Sequence, residues 1–178
     1  MPHLHTEPGQ HDLTVSAYII RLDTAEPSLM LHKHKLLDKY LQFGGHVELH
    51  ENPWAALTHE LLEESGYTMQ QLKVLQPTSR LTKVSNAILH PTPANILTHA
   101  FGNLDHYHTD IAYAFVTHEA PSATIGDGES TDIKLLTAQE LAALSADKIP
   151  ENVREIGLYA LDSCLTEWTN VNAADFST

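Results

Sequence analysis

The stretch Gly44–Tyr67, GGHVELHENPWAALTHELLEESGY, decides the fold, because both ends and both faces of a helix can be read from it. Asn52 is an N-cap residue type, and Pro53 suits the first helical position, where no amide hydrogen is needed. Gly66 stands where a chain leaves a helix through a left-handed residue. Together they predict a helix over about residues 53–65. At about 100° per residue, Glu60, Glu63 and Glu64 share an arc of about 100°, with Ala56 leaving room above them. Trp54, Leu57 and Leu61 form the adjoining apolar stripe. The helix is expected to pack on a sheet by one face and to carry charge on the next.

That charge is unfavourable by itself. The stretch holds five glutamates and no Lys or Arg. Like charges at i,i+4 cost about 0.2–0.5 kcal/mol, and carboxylates near a helix C-terminus oppose its dipole by about 0.3–1 kcal/mol. A solvated acidic face is the plain alternative. The paired glycines, Glu51 and the capped helix favour instead a hard-oxygen site, where converging carboxylates beside a glycine carbonyl suit Mg2+ or Mn2+.

Composition narrows the surroundings. The 178 residues suit one domain, with a core over about residues 12–168 and a loose tail over 169–178. Ten Lys and Arg face 23 Asp and Glu, a formal net charge of −13, which argues against broad contact with nucleic acid or an anionic membrane. Cys164 is the only cysteine, so no intrachain disulfide forms. The polar start MPHLHTEPGQHD has no signal-peptide core, and no apolar run is of spanning length. A cytoplasmic location is expected, and the reading leaves room for a homodimer. The thirteen histidines are scattered, as solvated imidazoles would be.

Outward from the helix, LTVSAYIIRL and SLMLHKH read as early strands, joined to it by a glycine turn. QLKVLQP, ANILTHAF, TDIAYAFVT and the short STDIKLLT read as later ones. AQELAALSA and ENVREIGLYALDSCLTEW read as helices. The alternation is too irregular for a doubly wound nucleotide fold, so an α/β fold with a mixed sheet between helices is expected.

Gly45, Glu51, Glu60, Leu61, Glu63, Glu64, Gly66 and Tyr67 stand in register with the Nudix box. That pattern is Gly, five residues, Glu, seven residues, Arg-Glu, an apolar residue, any residue, Glu-Glu, any residue, Gly and an apolar residue. The chain resembles the Nudix hydrolases, with His59 where the family has arginine. The likeness extends more weakly to KYLQFGGHVE and to the order of elements through about Leu144. It implies an α/β/α sandwich and metal-dependent cleavage of a pyrophosphate bond in a nucleoside diphosphate linked to another moiety. It also implies Glu60 and Glu64 as principal ligands of Mg2+ or Mn2+, Glu63 as a further ligand or charge partner, the Gly45 carbonyl as another metal contact, and Glu51 in support. In the arginine's place, His59 would orient the carboxylates as an imidazolium beside Glu63 or Glu51, or else mark a domain that binds or senses nucleotides without cleaving them.

Other candidates lie outside the box. In extended chain, His106, His108 and Asp110 of DHYHTDIAYAF point to one side, where they would contact phosphate, act as base, ligate metal, or simply end a strand in polar residues. Related enzymes often carry a further catalytic carboxylate where GDGEST places Glu129, which otherwise reads as an ordinary acidic loop residue. Lys33, Lys35 and Lys39 hold three of only ten basic residues and would steer phosphates, if they are more than exposed strand-end lysines.

Overall fold

The computed structural model describes residues 11–101 and 106–176. The polar N-terminal stretch through Gln10, Asp105 of the histidine-rich segment and the last two residues lie outside them.

Strand β1 (His11–Arg21) organises the sheet. It runs parallel to β7 (His106–Thr117) along its whole length, from His11↔Tyr107 to Arg21↔Thr117. Its other edge is divided: β4 (Phe43–His46) pairs antiparallel with Thr14–Ala17, and β2 (Ser28–His34) pairs antiparallel with Ile19–Arg21. β3 (Lys39–Leu41) and β8 (Ile133–Thr137) border β2. The far edge of β7 is divided likewise, between β6 (Asn95–Phe101) and β5 (Lys73–Gln76). The sheet is mixed and counts nine strands among the described residues.

Side-chain alternation makes two cores. Val15, Ala17 and Ile19 join Tyr113 and Phe115 against helix α1 (Pro53–Ser65), whose Trp54, Leu57 and Leu61 are fully buried. Each such side chain stabilises by about 1.5–3 kcal/mol. The Trp54 ring lies 5.2 Å from Tyr113 and 5.9 Å from Phe115. The intervening residues Tyr18 and Ile20, with Ala112, Ala114 and Val116, face the opposite way. They meet Leu141 of α2 (Ala138–Ala143) and Val153 and Ile156 of α3 (Glu151–Tyr159). Helices thus cover both faces of a mixed sheet, the expected α/β/α sandwich. No helix among the described residues is long and apolar enough to cross a membrane.

The sequence reading and the structure part in two places. The glycines expected in a turn are strand residues of β4, held by pairing with β1; a four-residue strand containing two glycines has no periodicity to announce it. Residues 169–176, expected in a loose tail, are tied down. Thr169–Asn172 form β9, antiparallel to β5 from Gln76↔Thr169 to Lys73↔Asn172. Ala173 is buried, its amide donating to the Leu72 carbonyl, and the Phe176 ring lies 5.6 Å from Trp54. An edge strand exposed on its outer face can be polar, which hid TNVN.

Candidate active site

Helix α1 is placed by its ends. The Asn52 Oδ1 accepts from the amides of Trp54 and Ala55, each at 3.0 Å. Gly66 takes φ 73°, and a Cβ there would lie 2.3 Å from the Ala123 carbonyl oxygen. That close approach lets the amides of Ala123 and Gly126 donate to the carbonyls of Gly66 and Glu63. The loop carrying Glu129 is thereby tied to the C-terminal turn of α1.

At the other side of the carboxylates, Gly44 takes φ 136°, and a Cβ would lie 2.0 Å from the Val15 carbonyl oxygen. With no side chain at this position, β4 sits against β1 and the Gly44 amide donates to Glu64 Oε2 at 2.8 Å. Glu60 and Glu64 are both buried, 7% and 9% exposed. Burial pushes Glu60 up to about 7, helped by the charges of Glu63, Glu129 and Glu51 and opposed by His59. Burial pushes Glu64 up to about 8, against the pull of the Gly44 amide and with further upward push from Glu60 and Glu129. Without a cation these two groups keep protons into the neutral range. An all-oxygen set that is costly to ionise alone but is held in place by a backbone amide fits a hard divalent cation, which would exchange with those protons.

The two carboxylates border a cleft of about 720 Å³, within the range of small-molecule sites. Glu63, Gly45, His108, Asp110 and Glu129 border the same cleft. His106, His108 and Asp110 alternate along β7 as read from sequence, and the last is buried. Asp110 Oδ1 accepts from the hydroxyls of Thr14 and Ser16, both at 2.9 Å. Burial raises its pKa while those two bonds lower it, and the net shift is upward.

Other expected residues stand apart from the cleft. Glu51 accepts from the Glu48 amide at 3.0 Å and braces the loop before α1. His59 reaches not into the cleft but along the helix to Glu63, with Nε2 3.0 Å from Oε1, both side chains more than half exposed. Lys39, expected to meet substrate phosphates, donates to the Ala146 carbonyl at 3.2 Å, and Lys33 pairs with Asp38 at 2.6 Å. The lysine that borders the cleft is Lys35, which donates to the Gly128 carbonyl. Lys33 lies within β2, one residue from the cleft residue His32 and so on the opposite face, whereas Lys35 stands just beyond the end of β2.

Several cleft residues escaped the sequence reading, His32 and His46 among them. His32, counted among scattered solvated histidines, is 3% exposed, its ring 5.0 Å from Phe43 and its Nε2 3.9 Å from Glu64 Oε2. Burial, then the neighbouring His34, lowers it to about 4, so it stays neutral near pH 7. Its only signal was its position in an apolar strand, alternating with Met30.

The model of the NUDIX domain family matches residues 11–156. Among solved structures, a NUDIX-family hydrolase from Clostridium perfringens is similar at 28% identity and TM-score 0.69, over 84% of this chain and 95% of that one. The NUDIX domain of Shewanella oneidensis NrtR, complexed with ADP ribose, is similar at 12% identity and TM-score 0.62, over 88% and 90%. A C. elegans Ap4A hydrolase in a binary complex is similar at 14% identity and TM-score 0.54, over 83% and 92%. No curated protein sequence matches the chain at a significant level.

Proposed function

The chain belongs to the NUDIX domain family, and from that premise we propose that it is a divalent-metal-dependent hydrolase that cleaves a pyrophosphate bond in a nucleoside diphosphate joined to another moiety. The observation that carries this reading is the convergence of Glu60, Glu63, Glu64 and Glu129 on one cleft large enough for such a substrate. A protein of net charge −13 has little else with which to hold a pyrophosphate. That proteins of similar fold hold ADP ribose or act on Ap4A is in keeping with a nucleotide substrate.

In this reading Glu60, Glu63 and Glu64 hold Mg2+ or Mn2+, with Gly45 beside them. When bound, the cation neutralises phosphate charge, polarises phosphorus and lowers the pKa of an attacking water. The chain's own groups do the positioning. The Gly44 amide fixes one oxygen of Glu64 and leaves the other for ligation. His59 holds Glu63, so that an exposed carboxylate on the last turns of α1 keeps one orientation. Thr14 and Ser16 fix Asp110 on the cleft floor, where burial raises its pKa above the ordinary carboxylate value and a hydrogen-bonded carboxyl can exchange a proton with a bound molecule. Water adds across the P–O–P bridge, and the two products each leave with a phosphate end.

The test is a screen of nucleotide sugars, dinucleoside polyphosphates, ADP-ribose and nucleoside triphosphates, with Mg2+ or Mn2+ and with products resolved. Turnover should require the cation at millimolar-range concentration, since Mg2+ keeps several waters and leans on substrate phosphates for the rest. Undiminished turnover in excess chelator would overturn the assignment. Tight nucleotide binding with no cleavage across the whole screen would favour a sensing module.

A further inference from the structure

A second set of ligating side chains gathers at the start of β1, outside the carboxylate face of α1. Parallel pairing sets Asp12 beside His108, and antiparallel pairing sets His46 beside Thr14, one pleat from Asp12 on the same face. Asp12, His46 and His108 each offer one ligand atom, and these atoms all lie within 4.8 Å of one another. The Nε2 atoms of His46 and His108 stand 3.5 Å and 4.0 Å from Asp12 Oδ2. The two rings meet edge to face at 5.0 Å. His106 Nε2 lies 3.2 Å from the same oxygen. The Asp12 side chain is 0% exposed.

The spacing suits a metal ion. Tetrahedral bonds of about 2.0–2.1 Å put neighbouring ligand atoms about 3.3–3.4 Å apart. Closing the 4.0 Å contact to that spacing takes a shift of about 0.7 Å, and separations in the set, all within 4.8 Å, close by at most about 1.4 Å. Two imidazoles and one carboxylate differ in kind from the all-oxygen set on α1. Such mixed ligation selects borderline dications over Mg2+.

We propose that Asp12, His46 and His108 form a separate binding site for a borderline transition dication, Zn2+ foremost, with His106 as a positioning residue that hydrogen-bonds Asp12. Ligating carboxylates are held in this way by outer partners in metal sites generally. His46 and His108 both border the cleft. An ion here adds positive charge to its wall, where an anionic substrate gains from it.

The experiment uses the full chain, stripped with chelator, dialysed, and titrated with Zn2+ or Co2+ in excess Mg2+. Bound metal is counted by elemental mass spectrometry after gel filtration, and Co2+ is read by its visible absorption. One tightly held equivalent is expected, with the intense absorption of a four-coordinate nitrogen–oxygen site. His46→Ala and His108→Ala should each weaken retention at least ~100-fold, and His106→Ala by about 10–100-fold. His46→Gln and His108→Asn serve if the alanine variants do not fold. The double variant Glu60→Gln with Glu64→Gln, and the exposed His50→Ala, should keep the ion. No ion above background in the wild type would overturn the proposal. So would an ion lost with the glutamates, or one that survives replacement of both histidines. None of these readouts depends on turnover, so failure here leaves the hydrolase reading standing.

Discussion

The acidic face of α1 and the histidine cluster at the start of β1 border one cleft, yet they are built in opposite ways. Glu60, Glu63 and Glu64 fall within five residues of one helix, so a rise of 1.5 Å and a turn of about 100° per residue bring them together. Asp12 and His106 stand 94 positions apart and meet only because two strands pair in one parallel register. The first cluster is all oxygen, with its two buried members raised toward neutral pH. The second places imidazoles around a fully buried carboxylate. A local cluster is written into spacing; a non-local one is written into register, which a single sequence does not display.

The largest loss of activity is expected from Glu64→Gln. The substitution keeps shape and an oxygen to accept from the Gly44 amide, and removes the charge that a cation needs. Turnover should fall by at least ~10²-fold, the scale lost with one key electrostatic contact. Steady-state assays of the purified variant check this. Near-normal turnover, set beside a large loss in His108→Ala, would move the chemistry from the helix to the histidine cluster and reverse the roles assigned here.

The same contrast explains what could be read in advance. The α1 boundaries, Pro53–Ser65, follow from the Asn52 cap, Pro53 and Gly66, and each of those acts within a turn of its own position. The box carboxylates were legible for that reason, as was the alternation of His106, His108 and Asp110. The partners of those β7 residues were not: Thr14 and Ser16 for Asp110, and Asp12 for the histidines, come from a strand whose own pattern says only that it is buried. His32 went unread because one histidine in an apolar strand carries no sign of which side chain it will face. Lys39 was misjudged because proximity in sequence to the box does not set where a strand-end lysine points. The edge strand β9 was missed since its pairing to β5 is made by backbone atoms, which every sequence has.

The same carboxylates should also make folding stability depend on pH. The folded state raises Glu60 from 4.5 to about 7 and Glu64 from 4.5 to about 8, chiefly by burial. A carboxyl group raised on folding contributes stability that is fully present below its unfolded pKa and is lost as pH rises through the folded one. In chelator, the protein should therefore lose on the order of a few kcal/mol between about pH 5 and pH 8.5, at 1.36 kcal/mol per pKa unit and with the two groups coupled. Urea midpoints of wild type and of the Glu60→Gln, Glu64→Gln double variant check this. The double variant should lose less over that window, and Mg2+ or Mn2+ should restore the wild type at the alkaline end. Parallel curves for the two proteins would mean that the helix carboxylates ionise freely.

The smallest expected effect concerns His59, which stands where the family pattern has arginine and touches the box only through Glu63. Burial pulls its pKa down, but the hydrogen bond and charge of Glu63, with the charges of Glu60 and Glu51, outweigh that and the net shift is upward. Its positive charge is thus held somewhat beyond the ordinary imidazole range and is lost as pH rises through the raised value. His59→Arg keeps the charge at every accessible pH and offers Glu63 a two-pronged grip. Because both side chains are more than half exposed, the pair contributes only about 0–1 kcal/mol to folding, and stability should hardly change. Catalysis is the more sensitive readout, since a wandering Glu63 would loosen one of the three proposed ligands. Water on a bound cation would ionise with rising pH in both proteins alike, so only the ratio of variant to wild type isolates residue 59. That ratio of kcat/KM should rise between about pH 6 and pH 9, by less than about tenfold. A ratio flat across the window would make His59 a spacer on an exposed helix turn, and Glu63 would then need no orientation from within α1.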